Sequence, residues 1–588
     1  MIEKLQTLWP EITLFIAACA VMIVGLSGTR SIRALCTPIC GLALLIATFL
    51  SLGGLGGVDI TVTGPLPVLA SYGKAMVGVI GVILLLLIPG VVDREFDAAP
   101  GGPGEAPQPP RAFEAIRSNT AEFHAFFLFS LMGLMLCAGA DDLIWLFLAL
   151  ELTSLPTYVM VTISTARNRS LEAGVKYFFL GALGAAIFLY GFALIYGGTG
   201  STNLEAVHAS IVAQADAGGI NSITMAGFVM AIIGLCFKIA AVPMHFYTPD
   251  VYQGAAAPVA AFLAFVPKSA GFFAIMLLTA TLGWSFGASG TELPGPVHSA
   301  LYIIAVLTMT VGNVLAILQN SIKRILAYSS IAHSGYMLVG IIAGPGGGGG
   351  ADSTLSRNGL SAVWFYLVCY GVMNVGAFAV VASLERRRAD GTHDEIDSVA
   401  DLRGLCASRP LLGWTMVISA AGLLGLPPLL GFFGKLPLFT SGVGAGHYLL
   451  VIILGINSAI AAYYYLRLAA APLLESRDPA ESVGGEIVES PYRLRTAAGL
   501  ISAVGVVALA LGLGGPLGSA ATSVGQSGFA PSYVGRRAAD RSPAVIPAAA
   551  HTVDDEPRDV EPAADGSVDG ATIESDGGPP DARFDHAR

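Results

Sequence analysis

The chain has 588 residues, of which 54% are hydrophobic and only 12% are charged, and its formal net charge is −10. Soluble globular domains carry about 25% charged residues, so this composition excludes a soluble protein and indicates a chain that crosses a membrane many times. Seven cysteines occur without a CxxC pair or a Cys/His cluster at metal-ligand spacing, and we interpret them as small apolar filler.

Apolar segments of membrane-spanning length recur along the chain. They lack the alternating pattern of strands, so we predict an all-α polytopic membrane protein with about 14 transmembrane helices. The first segment, from Glu11 to Leu26, could pass for a signal peptide, but an acidic residue precedes it and many spans follow, which favours a retained helix. The predicted spans are centred near 11–27, 33–52, 69–92, 121–139, 142–163, 171–197, 225–245, 257–282, 299–319, 323–343, 360–384, 410–441, 447–472 and 496–515.

Lysine and arginine outside the spans alternate between the two faces. With an even number of spans and the N-terminus outside, eighteen of them lie in inner loops. Only Lys4, Lys74 and Arg357 lie on the outer face before the C-terminal tail. Because positively charged loops stay on the cytoplasmic side, the pattern predicts a multi-pass protein with both termini outside.

Five ionisable residues lie inside apolar spans, where a charge costs roughly 2.5 to 3.5 kcal/mol. They are Glu151 in span 5, Lys176 in span 6, Lys238 in span 7, Lys268 in span 8 and Lys435 in span 12. The chain has seven lysines among 31 lysines and arginines, and four of the seven belong to this set. A buried lysine can release its proton, whereas an arginine does not, so the set predicts a proton path.

Glu151 and Lys238 are the predicted ion pair of this path. Pairing lets both groups stay charged, and Glu151 takes up a proton if the lysine moves away or loses its own. A static ion pair that pins spans 5 and 7 is the alternative. Lys268, which has no acid near it in sequence, is interpreted as a relay station and Lys435 as the far end of the relay. Inert tethers are the alternative for both.

Three further residues are weaker candidates. Lys176 follows Glu172 by four residues, so an i,i+4 pair or snorkelling competes with a functional role. His333 is flanked by hydroxyl side chains and could pass protons between the two central lysines, although a packing histidine fits equally well. His245 follows a proline by two residues and is a candidate for an inner gate or, by slight preference, for the cap of a broken helix.

Prolines interrupt spans 7 and 12, at Pro243 and at Pro427 and Pro428, and each interruption has a lysine within about two turns. Broken helices at matching positions in two halves are typical of an inverted-repeat transporter, and two unrelated proline kinks are the alternative. The breaks lie five spans apart, so we predict two inverted five-helix repeats, spans 4–8 and 9–13. The predicted organisation is a three-helix segment with a Pro/Gly-rich loop at 97–112 (1–120), a first repeat (121–283), a second repeat (299–472), a final helix (473–516) and a disordered acidic tail (517–588).

Several stretches resemble one family of membrane proteins. Residues 121–160, 172–191, 237–263, 322–340 and 425–439 are similar to the antiporter-like membrane subunits of proton-pumping NADH–quinone oxidoreductase, respiratory complex I. The segment HFYTPDVYQGA resembles subunit N, since the sister subunits L and M carry another sequence after the same broken helix. A lysine in span 12 argues against subunit M. The lack of a long amphipathic helix after the last span argues against subunit L.

The resemblance implies one proton-translocating unit in which Glu151, Lys238, Lys268 and Lys435 carry the proton, and Lys176 matches a family lysine. It implies a non-redox subunit of a translocase in a prokaryotic inner membrane, with no cofactor on this chain and with NADH, FMN, iron–sulfur clusters and quinone in partner subunits. The expected partners are the lipid bilayer and the membrane subunits M, L, K, J, A and H, and no nucleic acid. The alternatives are a free-standing or Mrp-type cation/proton antiporter, a structural spacer with inert lysines, and a subunit of a membrane-bound hydrogenase.

Overall fold

The computed structural model describes residues 7–53, 64–96, 113–165, 168–287, 290–346, 354–387, 393–475 and 486–526, all within one compact unit. The longer helices are α1 (Trp9–Gly25), α2 (Cys36–Ser51), α3 (Leu69–Leu85), α4 (Thr120–Ala138), α5 (Leu143–Ile163), α6 (Asn168–Thr199), α7 (Leu204–Asp216), α8 (Ser222–Lys238), α9 (Thr248–Gly254), α10 (Ala257–Leu282), α11 (Gly295–Ile317), α12 (Ile322–Ala343), α13 (Gly359–Ser383), α14 (Pro410–Leu424), α15 (Leu430–Gly444), α16 (Tyr448–Leu474), α17 (Arg493–Ala508) and α18 (Gly514–Val524). A π-helical turn, Leu509–Leu513, joins the last two, and four-residue helices lie at Arg30–Arg33 and Leu405–Ser408. Single 3₁₀ turns occur at Arg94–Phe96, Ala115–Arg117 and Val399–Leu402.

The structure confirms a predominantly helical membrane protein. Ten helices in the described part of the chain are long and apolar enough to cross a bilayer, and four shorter apolar helices accompany them, namely α1, α3, α8 and α14. These four coincide with predicted spans 1, 3, 7 and 12. The count of 14 spans stays a prediction, because length and composition alone do not place the short helices across a membrane.

Three long helices form the centre of the protein. The most apolar stretches of α10, α12 and α13 are completely buried, whereas those of α6, α16 and α17 are only one-third buried. The outer helices expose large apolar side chains such as Phe15, Leu148, Phe179 and Tyr463, as expected for a surface that faces lipid. A charged side chain on a central helix is therefore surrounded by protein, and this is where one of the candidate lysines, Lys268, lies.

Small residues bring the outer helix α6 against α8. A Cβ atom at Gly191 would lie 2.4 Å from the amide nitrogen of Ala231, and a Cβ atom at Gly234 would lie 2.4 Å from the amide nitrogen of Phe188. Only glycine permits this backbone approach, which is how membrane helices pack tightly without a hydrophobic driving force. The contact fixes the helix that ends at Lys238.

Both predicted broken helices are present. The first consists of α8 and α9, separated by residues 239–247, and the second consists of α14 and α15, separated by residues 425–429. Lys238 is the last residue of α8, and Lys435 is the sixth residue of α15, so each lysine lies within two turns of its break as predicted.

Several elements were not predicted. Helix α7 follows the long helix α6 outside any predicted span. A three-stranded antiparallel sheet has the order β2-β1-β3, with β1 at Leu384–Arg387, β2 at His393–Glu395 and β3 at Glu486–Glu489. It joins two loops that are far apart in sequence, so no local pattern indicates it.

Some predicted boundaries differ from the structure. Helix α18 extends to Val524, so the predicted start of the tail at residue 517 lies inside a helix, and residues 527–588 lie outside the described part. The Pro/Gly-rich loop at 97–112 also lies outside the described residues.

Candidate functional site

Glu151 and Lys238 form a direct ion pair. Lys238 Nζ lies 2.9 Å from Glu151 Oε1 and donates a second hydrogen bond to the Ser154 hydroxyl at 2.6 Å. A longer contact of 3.4 Å reaches the carbonyl oxygen of Leu150. The lysine side chain is 1% exposed and the glutamate 19%. The structure thus brings together the two residues that were expected to pair, although Ser154 was not anticipated.

Hydrogen bonds satisfy backbone groups on both sides of the break in the first broken helix. The amide of Ala241 donates to the carbonyl of Cys236 at 2.8 Å, and the amide of Val242 donates to the hydroxyl of Thr308 at 3.0 Å. The Tyr247 hydroxyl donates to the Phe237 carbonyl at 2.8 Å. Backbone groups freed by a break inside a membrane need such partners. The hydrogen bonds therefore stabilise the break as a defined part of the fold.

Lys268 lies on the central helix α10 and donates both to the carbonyl oxygen and to the hydroxyl of Ser330, the latter at 2.5 Å. One turn further along α12, the Ser334 hydroxyl donates to the carbonyl of Ile239 at 2.5 Å. Ile239 directly follows Lys238, so α12 contacts both the first break and the central lysine. Among the described residues, no acidic side chain contacts Lys268.

His333 lies at the centre of a ring of tyrosines. Its Nδ1 is 2.5 Å from the Tyr366 hydroxyl and its Nε2 is 2.7 Å from the Tyr465 hydroxyl. The Tyr465 hydroxyl also contacts the hydroxyl of Ser329. Each of these groups can donate or accept a proton, so the predicted serine neighbours are only part of the network and the two tyrosines were missed.

The tyrosine rings also connect His333 with both lysines. Lys268 Nζ lies 5.1 Å from the ring centre of Tyr370, and this ring lies 5.1 Å from that of His333. On the other side, Lys435 Nζ lies 5.3 Å from the ring centre of Tyr336, whose ring is 5.5 Å from that of His333. One tyrosine ring thus connects His333 with each lysine, and the transfer of protons through His333 stays a prediction.

Lys435 is held at the second break. Its ammonium donates to the carbonyl of Leu424 at 2.7 Å and to the hydroxyl of Ser458 at 3.3 Å. Leu424 is the last residue of α14, so its carbonyl is one of the acceptors that a helix end leaves unpaired. The lysine thus satisfies the broken helix, and no acidic side chain contacts it among the described residues.

Lys176 lies in a different environment. Its side chain is 42% exposed, and its ammonium lies 2.7 Å from Glu172 and 3.0 Å from Asp250. Asp250 also binds Arg324 at 2.8 Å. The predicted i,i+4 pair is present, but the structure does not bring Lys176 into the buried row.

His245 is buried in the loop between α8 and α9. The residue preceding α9 is Tyr247, and no side chain caps that helix in the described structure. The capping role is therefore wrong. Within the described part of the chain, Nδ1 of His245 has no hydrogen-bond partner.

Two buried ion pairs were missed because their lysines were assigned to loops. Lys74 was counted as an outer-face charge, but it lies in the second turn of α3, is 1% exposed and pairs with Glu11 at 2.8 Å. Lys323 is one of the eighteen lysines and arginines that were counted in inner loops, but it lies in the first turn of α12 and pairs with Glu395 at 2.7 Å. Glu11, at the start of the first apolar segment, was a sequence signal from which the Lys74–Glu11 pair could have been predicted. Among the described residues no group of three or more His, Cys, Asp or Glu side chains could hold a metal ion.

A family model described as NADH:quinone oxidoreductase/Mrp antiporter, TM matches residues 140–461, which is more than half of the chain and includes all seven candidate residues. The chain belongs to this family. The matched region contains both broken helices and the central helices, so the antiporter-like membrane fold is shown for the part of the chain that carries the ionisable row.

Named relatives agree with the family. NADH-quinone oxidoreductase subunit N of Trichlorobacter lovleyi is 43% identical over 350 residues, an alignment that spans 59% of this chain and 66%, just under two thirds, of the relative. The subunit of the same name from Saccharopolyspora erythraea is 36% identical over 454 residues, which cover 76% of this chain and 81% of the relative. A chain in the solved structure of respiratory complex I from Thermus thermophilus superposes with a TM-score of 0.65 at 29% identity, covering 87% of this chain and 99% of that chain.

Proposed function

We propose that this chain is the N-type membrane subunit of a proton-pumping NADH–quinone oxidoreductase in a prokaryotic inner membrane. The relatives named above carry that name, and the similar solved chain belongs to a respiratory complex I. In this proposal the chain is a non-redox part of the enzyme. NADH, FMN, iron–sulfur clusters and quinone act in partner subunits, and the other antiporter-like membrane subunits are its neighbours.

The observation that carries the proposal is the buried Glu151–Lys238 pair at the end of a broken helix. A charge in a membrane interior is expensive and is kept where an ion or proton moves. The pair, at 2.9 Å, lies beside the first break. The carbonyl of Ile239, the residue after Lys238, accepts a hydrogen bond from Ser334 on α12, and Ser330 on the same helix accepts one from Lys268. A change in the Glu151–Lys238 pairing can therefore reach Lys268 through these contacts of α12.

In the proposed mechanism the lysines exchange protons in sequence. While Glu151 is paired, Lys238 keeps its proton. When a conformational change in the partner subunits separates the pair, the ammonium loses its counter-charge and releases a proton towards Lys268. The proton then passes from Lys268 to Lys435 along the hydroxyl groups of the tyrosines around His333, and it leaves from Lys435. We further propose that both termini lie outside, as the distribution of arginine indicates.

The test is NADH-driven proton pumping in membranes that carry Lys238→Met, together with NADH oxidation by an artificial acceptor that does not need quinone. Methionine keeps the volume of the lysine stem but carries no proton. Loss of pumping and of quinone-linked turnover with intact artificial-acceptor activity is expected. Unchanged pumping would show that the lysine is only structural. Cation transport by the purified chain alone in proteoliposomes would instead favour a free-standing antiporter.

A further inference from the structure

A second buried ion pair joins three helical elements at the end of the molecule that carries the arginine-rich loops. Lys323 Nζ lies 2.7 Å from Glu395 Oε2 and donates to the carbonyl of Ala255 at 2.9 Å. Both carboxylate oxygens of Glu395 accept from the amide of Ala257, at 3.0 and 3.1 Å. The side chains of the lysine and the glutamate are 7% and 14% exposed. The pair therefore links the end of α9, the start of α10 and the start of α12.

This pair borders a large cavity. The cavity has a volume of about 950 Å³, and both members of the pair line it, together with Arg495 and the end of the first broken helix. Asp394 and His393 line it beside Glu395, and the exposed Arg169 lies at its rim. Small solutes from the aqueous phase on this face can therefore approach Glu395 without crossing the core.

Polar side chains continue from the pair towards the central lysine. Lys323 and Ser330 lie two turns apart on α12, so they are on one face of that helix and about 10.5 Å apart along its axis. Tyr252 lies three residues before Ala255, which accepts from Lys323, and its side chain interacts with Ser330. Ser330 in turn accepts from Lys268. Tyr252 on α9 and Ser330 on α12 thus supply hydroxyl groups on the two helices that run from the cavity pair towards the central lysine.

We propose that Glu395 and Lys323 form a proton-loading pair through which Lys268 is recharged from the cavity. The inference rests on the proposed function and names a further part of the same path. When Lys268 is neutral, the Lys323 ammonium releases one proton along the Tyr252 and Ser330 hydroxyls and becomes an amine. Glu395 takes one proton from water in the cavity and passes it to Lys323. The ion pair is restored, and one proton has moved from the cavity to Lys268.

The charges around Glu395 suit this order of events. Burial alone would raise the pKa of Glu395, but Lys323, Arg495 and the Ala257 amide together hold that pKa below its usual value. The carboxyl group is therefore ionised at rest. It gains affinity for a proton only when Lys323 has lost its own, because the largest attraction that lowers its pKa is that ammonium.

Glu395→Gln in the assembled complex tests the proposal. Glutamine keeps the size of the side chain and can still accept from Ala257, but it cannot bind a proton at neutral pH. Quinone-linked NADH oxidation is measured in uncoupled membranes and normalised to artificial-acceptor activity, so that a change in assembly cancels. We expect a decrease of at least about tenfold, because a positioned proton donor typically contributes about 10²–10⁴-fold. Asp394→Asn removes a carboxylate from the lining of the same cavity; it is the matched control and should retain normal turnover.

A small proton carrier separates loading from a structural clamp. Imidazole or formate, titrated into the assay, should restore turnover of Glu395→Gln several-fold, because it can enter the cavity and replace the carboxyl group as donor. The same additions should not restore Lys268→Met, which interrupts the path further inside. Normal turnover of Glu395→Gln, or a loss that neither carrier restores, would overturn the loading role.

Two further variants keep the test decisive. If Glu395→Gln prevents assembly, Glu395→Asp is used, which retains a carboxyl group and should keep turnover per complex near normal. A loss in Glu395→Asp that imidazole does not restore would favour a clamp and overturn the proposal. Lys238→Met separates the two hypotheses: if it pumps normally the proposed function fails, whereas if it is impaired and Glu395→Gln is normal, only the loading pair fails.

Discussion

The Glu151–Lys238 pair makes a quantitative prediction for Glu151→Gln. At 2.9 Å and an effective dielectric constant of about 20, two unit charges attract by about 6 kcal/mol. Glutamine removes this attraction and leaves the ammonium with the Ser154 hydroxyl and the Leu150 carbonyl.

We therefore expect Glu151→Gln to assemble and to fail in coupling. Assembly should persist because the remaining acceptors still satisfy Lys238 and because the amide can accept a hydrogen bond in place of the carboxylate. Since about 1.4 kcal/mol is a factor of ten in rate, the loss of even a quarter of the pair energy predicts a decrease of about tenfold in quinone-linked turnover. The measurement is NADH-driven proton pumping beside artificial-acceptor activity in the same membranes.

Glu172→Gln is the matched control for this variant. It removes the same charge from a glutamate that also pairs with a lysine, at 2.7 Å, but the Glu172 side chain is 65% exposed. Exposed pairs contribute about 0–1 kcal/mol, so turnover should hardly change. Pumping by Glu151→Gln at the level of Glu172→Gln would refute the idea that the buried pair controls proton movement and would favour the static ion pair.

Two further predictions follow from single contacts. Ser330→Ala removes the hydroxyl that binds Lys268, and loss of a hydrogen bond to a charged group predicts a decrease of about tenfold in quinone-linked turnover. Ser269→Ala is its control, because that buried hydroxyl has no hydrogen-bond partner in the described structure; equal effects of the two variants would contradict the relay. Burial lowers the pKa of His208, whose ring contacts the carbonyl of Thr281, so its stabilising contribution is present above about pH 6.5 and is lost as the pH falls through the lowered value. The thermal unfolding midpoint of the complex should therefore fall less between pH 7.5 and 5 in His208→Gln than in the unsubstituted protein, and equal decreases would exclude this role.

Much of the site could be predicted because burying a charge in a membrane is so costly. The ionisable residues of the apolar spans include both members of the 2.9 Å pair, and proline identified both broken helices. A chain of apolar segments has few polar positions, so each polar residue carries much information. The same reasoning was least accurate for Lys176, which it placed inside an apolar span. Lys176 lies at the charged end of an outer helix, where its ammonium remains accessible.

The contacts that were missed have a common physical reason. Ser330, Tyr366 and Tyr465 are ordinary residues of membrane helices, and nothing in their local sequence shows that they face a lysine or a histidine. Glu395 belongs to a short strand of a sheet formed by distant loops, so its contact with α10 and α12 depends on tertiary structure alone. Periodicity identifies the face that a residue occupies on its own helix, but not the neighbour that this face meets.

The contacts of α12 suggest how the two halves communicate. Ser334 binds the carbonyl of Ile239 at the first break, Ser330 holds Lys268, and His333 contacts the tyrosines that lead to Lys435. These three residues lie within five positions of one buried helix, whereas α10 contributes only the lysine itself to this set. A displacement of the break at Ile239 must therefore move or release Ser334, and a rigid helix passes such a shift to its neighbours one turn away. We infer that α12, rather than the helix that carries the central lysine, transmits a change in the Glu151–Lys238 pair to the second half of the protein.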